Sequence, residues 1–201
     1  MSDDPEALFL AFRQRLSRYG SLTDTTFAAL RNISTVRHYP AGASLLELGE
    51  IAHERFYVYS GLVVSLYASR NGNPHLKNFF VADELAGSVA SLLGSTPSAF
   101  ALVAREDTTV VAWQEAPYQQ LVTRCPDLNQ QYRRHIEASW IIRNEQRQLA
   151  FATLTAAERY VDFLSEYPDL EQRVSQRDVA AYLGITPTQL SRIRRKVYQQ
   201  Q

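Results

Sequence analysis

The residues near the carboxyl end of the chain are of types that contact nucleic acid. Arg and Gln side chains make paired hydrogen bonds to base edges in the major groove. Residues 184–201 contain four basic residues and no acidic residue, so this end carries +4 whereas the whole chain sums to zero. A basic face on an otherwise neutral protein is the electrostatic mark of phosphate contact. The residues predicted to contact double-stranded DNA are Ser175, Arg177, Thr186, Thr188, Gln189, Ser191, Arg192, Arg195 and Lys196.

A helix-turn-helix over residues 174–196 would position these side chains. Ser175 suits the cap of the first helix, and Gly184 accepts the positive φ where that helix ends. Thr186 and Gln189 fit a capping box for the second helix, and Leu190 falls on its inward face. The alternative is an ordinary corner between two helices, whose apolar spacing would look the same. The basic outer face favours a recognition helix in the major groove.

Composition narrows the class of protein. The 201 residues allow one medium or two small domains, and 45% hydrophobic and 21% charged residues are typical of an ordinary soluble protein. Cys125 is the only cysteine, which excludes a disulfide within the chain and a thiolate zinc site. The acidic beginning, MSDDPEA, differs from a secretory signal, and no apolar run is long enough for a bilayer. We therefore expect a cytoplasmic protein with no membrane partner.

The first part of the chain predicts helices followed by a β domain. Apolar residues recur every three or four positions in residues 4–19 and 23–33, which predicts two helices. From residue 36 onward, turn signals recur every seven to twelve residues, among them 40–42 and 71–73. Many short strands at even spacing indicate a small antiparallel jelly roll, a double-stranded β-helix that can enclose a ligand. The predicted class is α+β, with residues 1–126 as an effector domain.

Residues 127–154 predict one long helix that joins the two ends of the chain. Apolar and polar residues at a 4-3-4-3 spacing are typical of a coiled-coil seam, so we expect a homodimer joined through this helix. The alternative is a helix packed on its own sheet, with Ile136, Trp140 and Ile141 buried. Residues 155–201 are then the DNA-binding domain. The predicted seam residues are Leu128, Tyr132, His135, Ser139, Ile142 and Leu149.

The order of β-roll, long helix and helix-turn-helix resembles the Crp/Fnr family of bacterial transcription regulators over almost the whole chain. Residues 157–196, AERYVDFLSEYPDLEQRVSQRDVAAYLGITPTQLSRIRRK, are especially similar to the subgroup with a short DNA-binding domain. The resemblance implies a homodimer that reads a palindromic operator and has RNA polymerase as a further candidate partner. Arg192 matches the recognition-helix Arg that reads a guanine. Thr188 stands where many members carry a Glu, so the family's familiar half-site is not implied.

The resemblance also marks a candidate effector pocket. Nucleotide-binding members carry a Glu for the ribose and a following Arg for the cyclic phosphate. In this chain Ser88 stands in place of the Glu and Ser98 in place of the Arg. A buried phosphate without a cationic partner is costly, so we predict that the protein does not bind cyclic AMP in the usual manner. No cofactor is predicted and the effector is unknown. The candidate pocket residues are Gly87, Ser88, Val89, Ser98 and Ala99.

Two other functions remain open. A genuine cyclic-nucleotide-responsive regulator would need other cations for the phosphate, and Arg105 and Lys77 are the nearby candidates. A β-roll enzyme with a helical tail would need a metal or a nucleophile. The four histidines form no metal-binding pair, and no nucleophile motif accompanies the serines. We predict no catalytic residue, no metal site and no enzymatic activity.

Overall fold

Two short helices precede the sheets. In the computed structural model, which describes residues 4–68 and 74–199, α1 is Pro5–Ser17 and α2 is Asp24–Asn32. The Asp4 carboxylate accepts the Glu6 N–H at 3.0 Å and so caps α1. Thr23 caps α2 in the same way. Both predicted helices are confirmed. The predicted turn at 71–73 and the outermost residues of the predicted end domains, 1–3 and 200–201, lie outside the described residues.

The described residues form eight strands in two four-stranded antiparallel sheets. One sheet has the order β1-β8-β3-β6 and the other β2-β7-β4-β5. Apart from β4 and β5, which pair with each other, consecutive strands therefore alternate between the two sheets, as in a jelly roll, and the predicted α+β class and roll are confirmed. The strands are β1 Ser34–Tyr39, β2 Ser44–Leu46, β3 Glu54–Ser60, β4 Leu62–Ala68, β5 Pro74–Val81, β6 Glu84–Ala86, β7 Ala101–Ala104 and β8 Thr108–Gln114.

The strand β8 is buried on both faces, because the roll lies on one side of it and helices on the other. Val110 and Ala112 point into the roll interior, where they join a cluster of buried apolar residues. Val111 and Trp113 point the other way and pack with α1 and α2. This alternation follows from the two-residue period of a strand. The N-terminal helices thus cover the outer face of the first sheet.

The long helix carries a π segment in its middle. After α3 (Val89–Gly94) and α4 (Glu115–Arg124), the chain forms α5 (Pro126–Ile136), a π segment (Glu137–Ile142) and α6 (Arg143–Thr153). The predicted single helix is therefore continuous but not regular. A π turn inserts one residue, which rotates the following side chains by about 100°. Residues at heptad spacing on the two sides of the π segment therefore do not lie on the same face of the helix.

The predicted dimer seam is corrected at two positions, Leu128 and His135. Leu128 and His135 are 0% and 6% exposed because they pack within their own chain, and Tyr132 packs beside Tyr118. Leu128 and His135 are therefore unavailable to a second protomer in this arrangement, whereas Tyr132 is half-buried. Ser139 is half-buried, and its hydroxyl lies 2.8 Å from that of Tyr19. The remaining predicted seam residues, Ile142 and Leu149, are exposed, as is Ile141, which the alternative prediction had buried.

The C-terminal helices pack directly on the second sheet. They are α7 (Ala156–Glu166), α8 (Leu170–Arg173), α9 (Gln176–Tyr182) and α10 (Pro187–Tyr198). Phe79 of β5 contacts Phe163 and Tyr182, with ring centroids 6.1 and 5.1 Å apart. Leu62 and Val64 belong to the same buried cluster. The roll therefore sets the position of the last two helices.

Candidate nucleic-acid interface

The turn between α9 and α10 has the geometry that its residues predict. Ser175 Oγ accepts the Asp178 N–H at 3.1 Å, which caps α9. Gly184 has a φ of +69°, a conformation that a residue with a Cβ rarely adopts. At the start of α10, Thr186 Oγ1 accepts the Gln189 N–H at 3.2 Å while Gln189 Oε1 accepts the Thr186 N–H at 2.9 Å. The predicted caps and capping box are confirmed.

The inner face of α10 is anchored by apolar contacts. Leu190 is completely buried, together with Val179, Ala180 and Leu183 of the preceding helix. Small Ala180 lets the two helices approach closely at their crossing. Because one face is held in this way, the side chains on the opposite face point outward on a rigid support.

The outer face of α10 is polar and basic. Thr188, Gln189, Ser191, Arg192, Arg195 and Lys196 are all exposed. An open surface groove is lined by Pro187, Thr188, Ser191, Arg192 and Arg195. Within the described part of the chain, Arg192, Arg195 and Lys196 make no ion pair. Their charges are therefore free to meet an external anion.

One of the four basic residues counted in the sequence does not belong to this face. Arg194 is half-buried, and its Nε lies 2.9 Å from the Glu171 carboxylate. The same carboxylate accepts hydrogen bonds from Tyr160 at 2.7 Å and Tyr198 at 2.8 Å. The unpaired charge on the outer face is thus +3, from four basic residues less Arg194.

Three of the residues predicted to contact DNA already serve as caps. The Ser175 and Thr186 hydroxyls and the Gln189 amide oxygen are bound at the helix starts, which leaves the Gln189 amide group free to donate. Arg177 is exposed on the first turn of α9. The side chains that remain available to contact bases are therefore mainly Thr188, Ser191 and Arg192. Their role in reading DNA remains a prediction.

Two ion pairs that the sequence did not indicate join the helix-turn-helix region to the roll. Arg173 binds both carboxylate oxygens of Glu106 at 2.9 and 2.7 Å and also the Gly61 carbonyl at 3.0 Å. Arg105 lies 3.2 Å from Asp178, the residue that Ser175 caps. These contacts join residues 67 to 112 positions apart, so no local pattern could reveal them.

Two serine hydroxyls of the candidate effector pocket are buried and hydrogen-bonded to each other. Ser88 and Ser98 are 2% and 3% exposed, and their Oγ atoms lie 2.9 Å apart. The Ser98 hydroxyl also lies 2.6 Å from the Phe100 carbonyl. Gly87 is buried, Val89 is half-buried and Ala99 is exposed. The structure therefore brings Ser88 and Ser98 together, and none of the described cations is hydrogen-bonded to either hydroxyl.

The two alternative cations lie elsewhere. Arg105 is engaged with Asp178 on the outside of the roll. Lys77 lies over the Phe100 ring, with Nζ 4.6 Å from the centroid. Burial and then the charge of Arg147 lower the pKa of Lys77. Neither residue contacts the Ser88–Ser98 pair in the described structure.

The described residues contain neither a cluster of metal ligands nor a helix suited to cross a membrane. No three His, Cys, Asp or Glu side chains in the described structure come together in a way that could hold a metal ion. No described helix combines the length and apolar character needed to cross a bilayer.

Comparison with known proteins agrees with this architecture. The family model of the cyclic nucleotide-binding domain matches residues 36–125, which hold the roll. FixK2 from Bradyrhizobium japonicum has the same fold at 21% identity and a TM-score of 0.71, with 84% of this chain and 86% of that chain covered. The c-di-GMP-responsive global regulator CLP of Xanthomonas campestris is 19% identical, with 89% and 93% covered and a TM-score of 0.68.

The catabolite activator protein of Thermus thermophilus is 20% identical, with 92% of this chain and 87% of that chain covered and a TM-score of 0.56. These neighbours are Crp/Fnr-family regulators, so the predicted resemblance is confirmed for the fold. No curated protein sequence matches the chain.

Proposed function

We propose that this chain is a sequence-specific DNA-binding transcription regulator of the Crp/Fnr type and is not an enzyme. The observation that carries the proposal is the outer face of α10, where Arg192, Arg195 and Lys196 are exposed and unpaired among the described residues. A rigid, capped helix with a basic outer face fits the major groove of double-stranded DNA. The fold shared with regulators supports this function. DNA in a bacterial cell lies in the cytoplasm, where the protein would work.

We further propose that the protein acts as a homodimer on a roughly palindromic operator. The exposed apolar residues Ile141, Ile142 and Leu149 of the long helix support this assembly, since exposed side chains of this size on one helix favour contact with another subunit. Two recognition helices related by a two-fold axis would meet half-sites about 34 Å apart. RNA polymerase is a further candidate partner at such a promoter.

Selection of binding sites from random DNA tests the proposal directly. The purified full-length chain should enrich a palindromic sequence whose half-sites are one helical turn apart. Recovery of unrelated sequences at all salt concentrations would contradict it. Size-exclusion chromatography with light scattering, run on the same protein, should give the mass of a dimer.

Arg192→Ala should reduce binding to the selected operator by about 1–3 kcal/mol and relax the preference at one base pair. The reason is the loss of a paired hydrogen bond to a base edge. Fluorescence anisotropy on the operator and on single-base variants measures both effects. Arg194→Ala is the matched control, because Arg194 lies on the same helix but pairs with Glu171. If the two variants lost equal amounts of binding free energy, the assignment of Arg192 to the major groove would be wrong.

Arg195→Ala and Lys196→Ala should act differently from Arg192→Ala. Each should weaken binding to all DNA sequences alike and reduce the salt slope of the binding constant by about one. The physical reason is that a phosphate contact releases counterions and carries no sequence information. Titrations at several salt concentrations measure the slope. A sequence-dependent loss would assign these residues to base edges instead.

We propose that the roll does not bind cyclic AMP in the usual way. The support is the Ser88–Ser98 hydrogen bond, which occupies the position where a cyclic phosphate would need a cation. The alternative function, a regulator that responds to a cyclic nucleotide through other contacts, predicts micromolar binding of cyclic AMP or cyclic GMP. Calorimetry with both nucleotides separates the two functions.

A further inference from the structure

A cleft of about 610 Å³ lies between the roll, the long helix and the C-terminal helices. Small-molecule sites in proteins have volumes of roughly 300–1,000 Å³, so the cleft is of suitable size. An occupant would touch all three parts of the chain at once. Aromatic rings make up much of the wall, namely Phe79, Trp140, Phe151, Phe163, Tyr167 and Tyr182.

Arg15 of α1 lines this cleft and is 8% exposed. Its Nε donates to the Asp83 carbonyl at 2.5 Å and its Nη2 to the Tyr19 hydroxyl at 3.2 Å. The third nitrogen, Nη1, is buried without a hydrogen-bond partner. Among the residues that the structure describes, no ion pair includes Arg15, and the Asp83 carboxylate pairs with Arg18.

An unpaired buried cation is costly, since its attraction to a counter-charge is what offsets the loss of water. An anion bound at the Arg15 guanidinium would supply the missing counter-charge and a hydrogen-bond acceptor together. The Tyr19 hydroxyl, which accepts from Nη2, and the Ser139 hydroxyl 2.8 Å from it also belong to residues that line the cleft.

The acidic residues of the cleft do not cancel the charge of Arg15. Glu84 and Glu166 are both bound by Arg143 of the long helix. Asp162 is exposed on α7. Arg147 and Arg159 add positive charge to the same wall and lie over the Tyr182 and Phe151 rings respectively. The cleft thus presents aromatic faces together with more cations than acids.

We propose that this cleft, and not the interior of the roll, binds a small organic anion with a planar apolar body. Its negative group pairs with the guanidinium of Arg15, and its planar part lies among the aromatic side chains beside Trp140. That this anion is the effector of a regulator rests on the proposed function. Binding of the anion is a property of the cleft and is measured without DNA.

The test uses benzoate and phenyl phosphate as probes, with benzamide and benzyl alcohol as their uncharged counterparts. Added to the full chain, at least one anion should give a saturable change in Trp140 fluorescence, and its uncharged counterpart should bind at least about tenfold more weakly. The two anions distinguish a carboxylate from a phosphate ligand. Because Trp113 also fluoresces, Trp140→Phe should remove the change that the anion causes, not the fluorescence itself, and should keep the binding heat in calorimetry.

Arg15→Gln should weaken binding of the anion at least about tenfold, because it keeps a hydrogen-bond donor but removes the charge. Arg18→Gln is the matched control, since Arg18 lies on the same helix and pairs with Asp83 on the surface. It should bind the anion as the unchanged protein does. If Arg15→Gln folds poorly, thermal unfolding of the unchanged protein decides, because the anion should raise its Tm and the uncharged counterpart at equal ionic strength should not.

Two results would overturn the proposal. The first is no saturation by either anion up to about 10 mM, which would mean that water alone solvates Arg15. The second is unchanged affinity in Arg15→Gln. Operator selection can fail while anion binding succeeds, and the reverse also holds, so this experiment is independent of the one that tests DNA binding.

Discussion

Glu115→Ala is expected to lower the free energy of unfolding by about 3–5 kcal/mol, the cost of leaving a buried charge without its partner. Arg55 of β3 and Glu115 of α4 are 6% and 8% exposed, and they form two parallel hydrogen bonds of 2.5 and 2.8 Å. Burial alone would raise the pKa of Glu115, but the hydrogen bonds and charge of Arg55 outweigh it and lower the pKa. The pair is therefore ionised at neutral pH.

This ion pair lies at the joint between the roll and the long helix. The Arg55 guanidinium also lies over the rings of Tyr118 and Tyr132, at 5.6 and 5.4 Å from their centroids. Tyr132 belongs to α5, so the Arg55 guanidinium of β3 contacts the long helix through the ring of Tyr132. Loss of Glu115 should therefore loosen the start of the long helix as well as the roll.

Urea unfolding at neutral pH measures the effect of Glu115→Ala. Arg133→Ala is the matched control, because its pair with Glu137 is exposed on both sides and should change the unfolding free energy by no more than about 1 kcal/mol. A double variant, Arg55→Met with Glu115→Leu, should recover much of the loss, since it removes both buried charges. A loss no greater than that of the control would show that the pair is hydrated in solution.

Acidification from about pH 7 to about pH 4 is expected to cost on the order of 3 kcal/mol of unfolding free energy through His135 alone. Burial, followed by the charges of Arg15 and Arg55, lowers the pKa of His135 from 6.5 to about 4. The unfolded chain therefore takes up this proton at a higher pH than the folded chain, so acid favours unfolding. The stability is fully present above the ordinary pKa and is lost as the pH falls through the folded one.

Urea unfolding over this pH range, compared between the unchanged protein and His135→Gln, isolates the contribution of His135. The glutamine variant keeps a polar group near Ser139 but cannot titrate. Its stability should fall less steeply between the two pKa values, and the two proteins should differ by a constant amount above about pH 7. Parallel curves throughout would mean that His135 is protonated in the folded protein at its ordinary pKa.

Both predictions concern the same region, where α1, the roll and the long helix meet. His135 stacks edge-on against Tyr19 at 4.9 Å, and its Nδ1 lies 3.2 Å from the Ser139 hydroxyl at the start of the second half of the helix. A change in this region would therefore reach the C-terminal helices through the long helix. We propose this as the route by which occupation of the cleft alters DNA binding, to the extent that the ligand prefers one arrangement.

Local features of the sequence were sufficient to predict the N-terminal helices, the β-rich roll and the helix-turn-helix, but not the short helices α3, α4 and α8 or the π segment. Asp4, Thr23, Ser175 and Thr186 cap helices because a short oxygen-bearing side chain reaches the free N–H groups of the first turn, whatever the rest of the chain does. Evenly spaced turns and β-branched runs predicted the strands for a similar reason. Gly184 was identifiable because the end of α9 needs a positive φ.

The faces that these elements present were decided only by the tertiary structure. Leu128 and His135 fit a heptad seam by spacing, yet they pack within their own chain, and a π segment breaks the register after them. Arg194 has the sequence context of a DNA contact but pairs with Glu171. Arg15 meets the Asp83 carbonyl across 68 residues of chain and has no local motif at all. Spacing determines which residues share a face of a helix, whereas only long-range packing determines whether that face meets a sheet, a ligand, a second subunit or DNA.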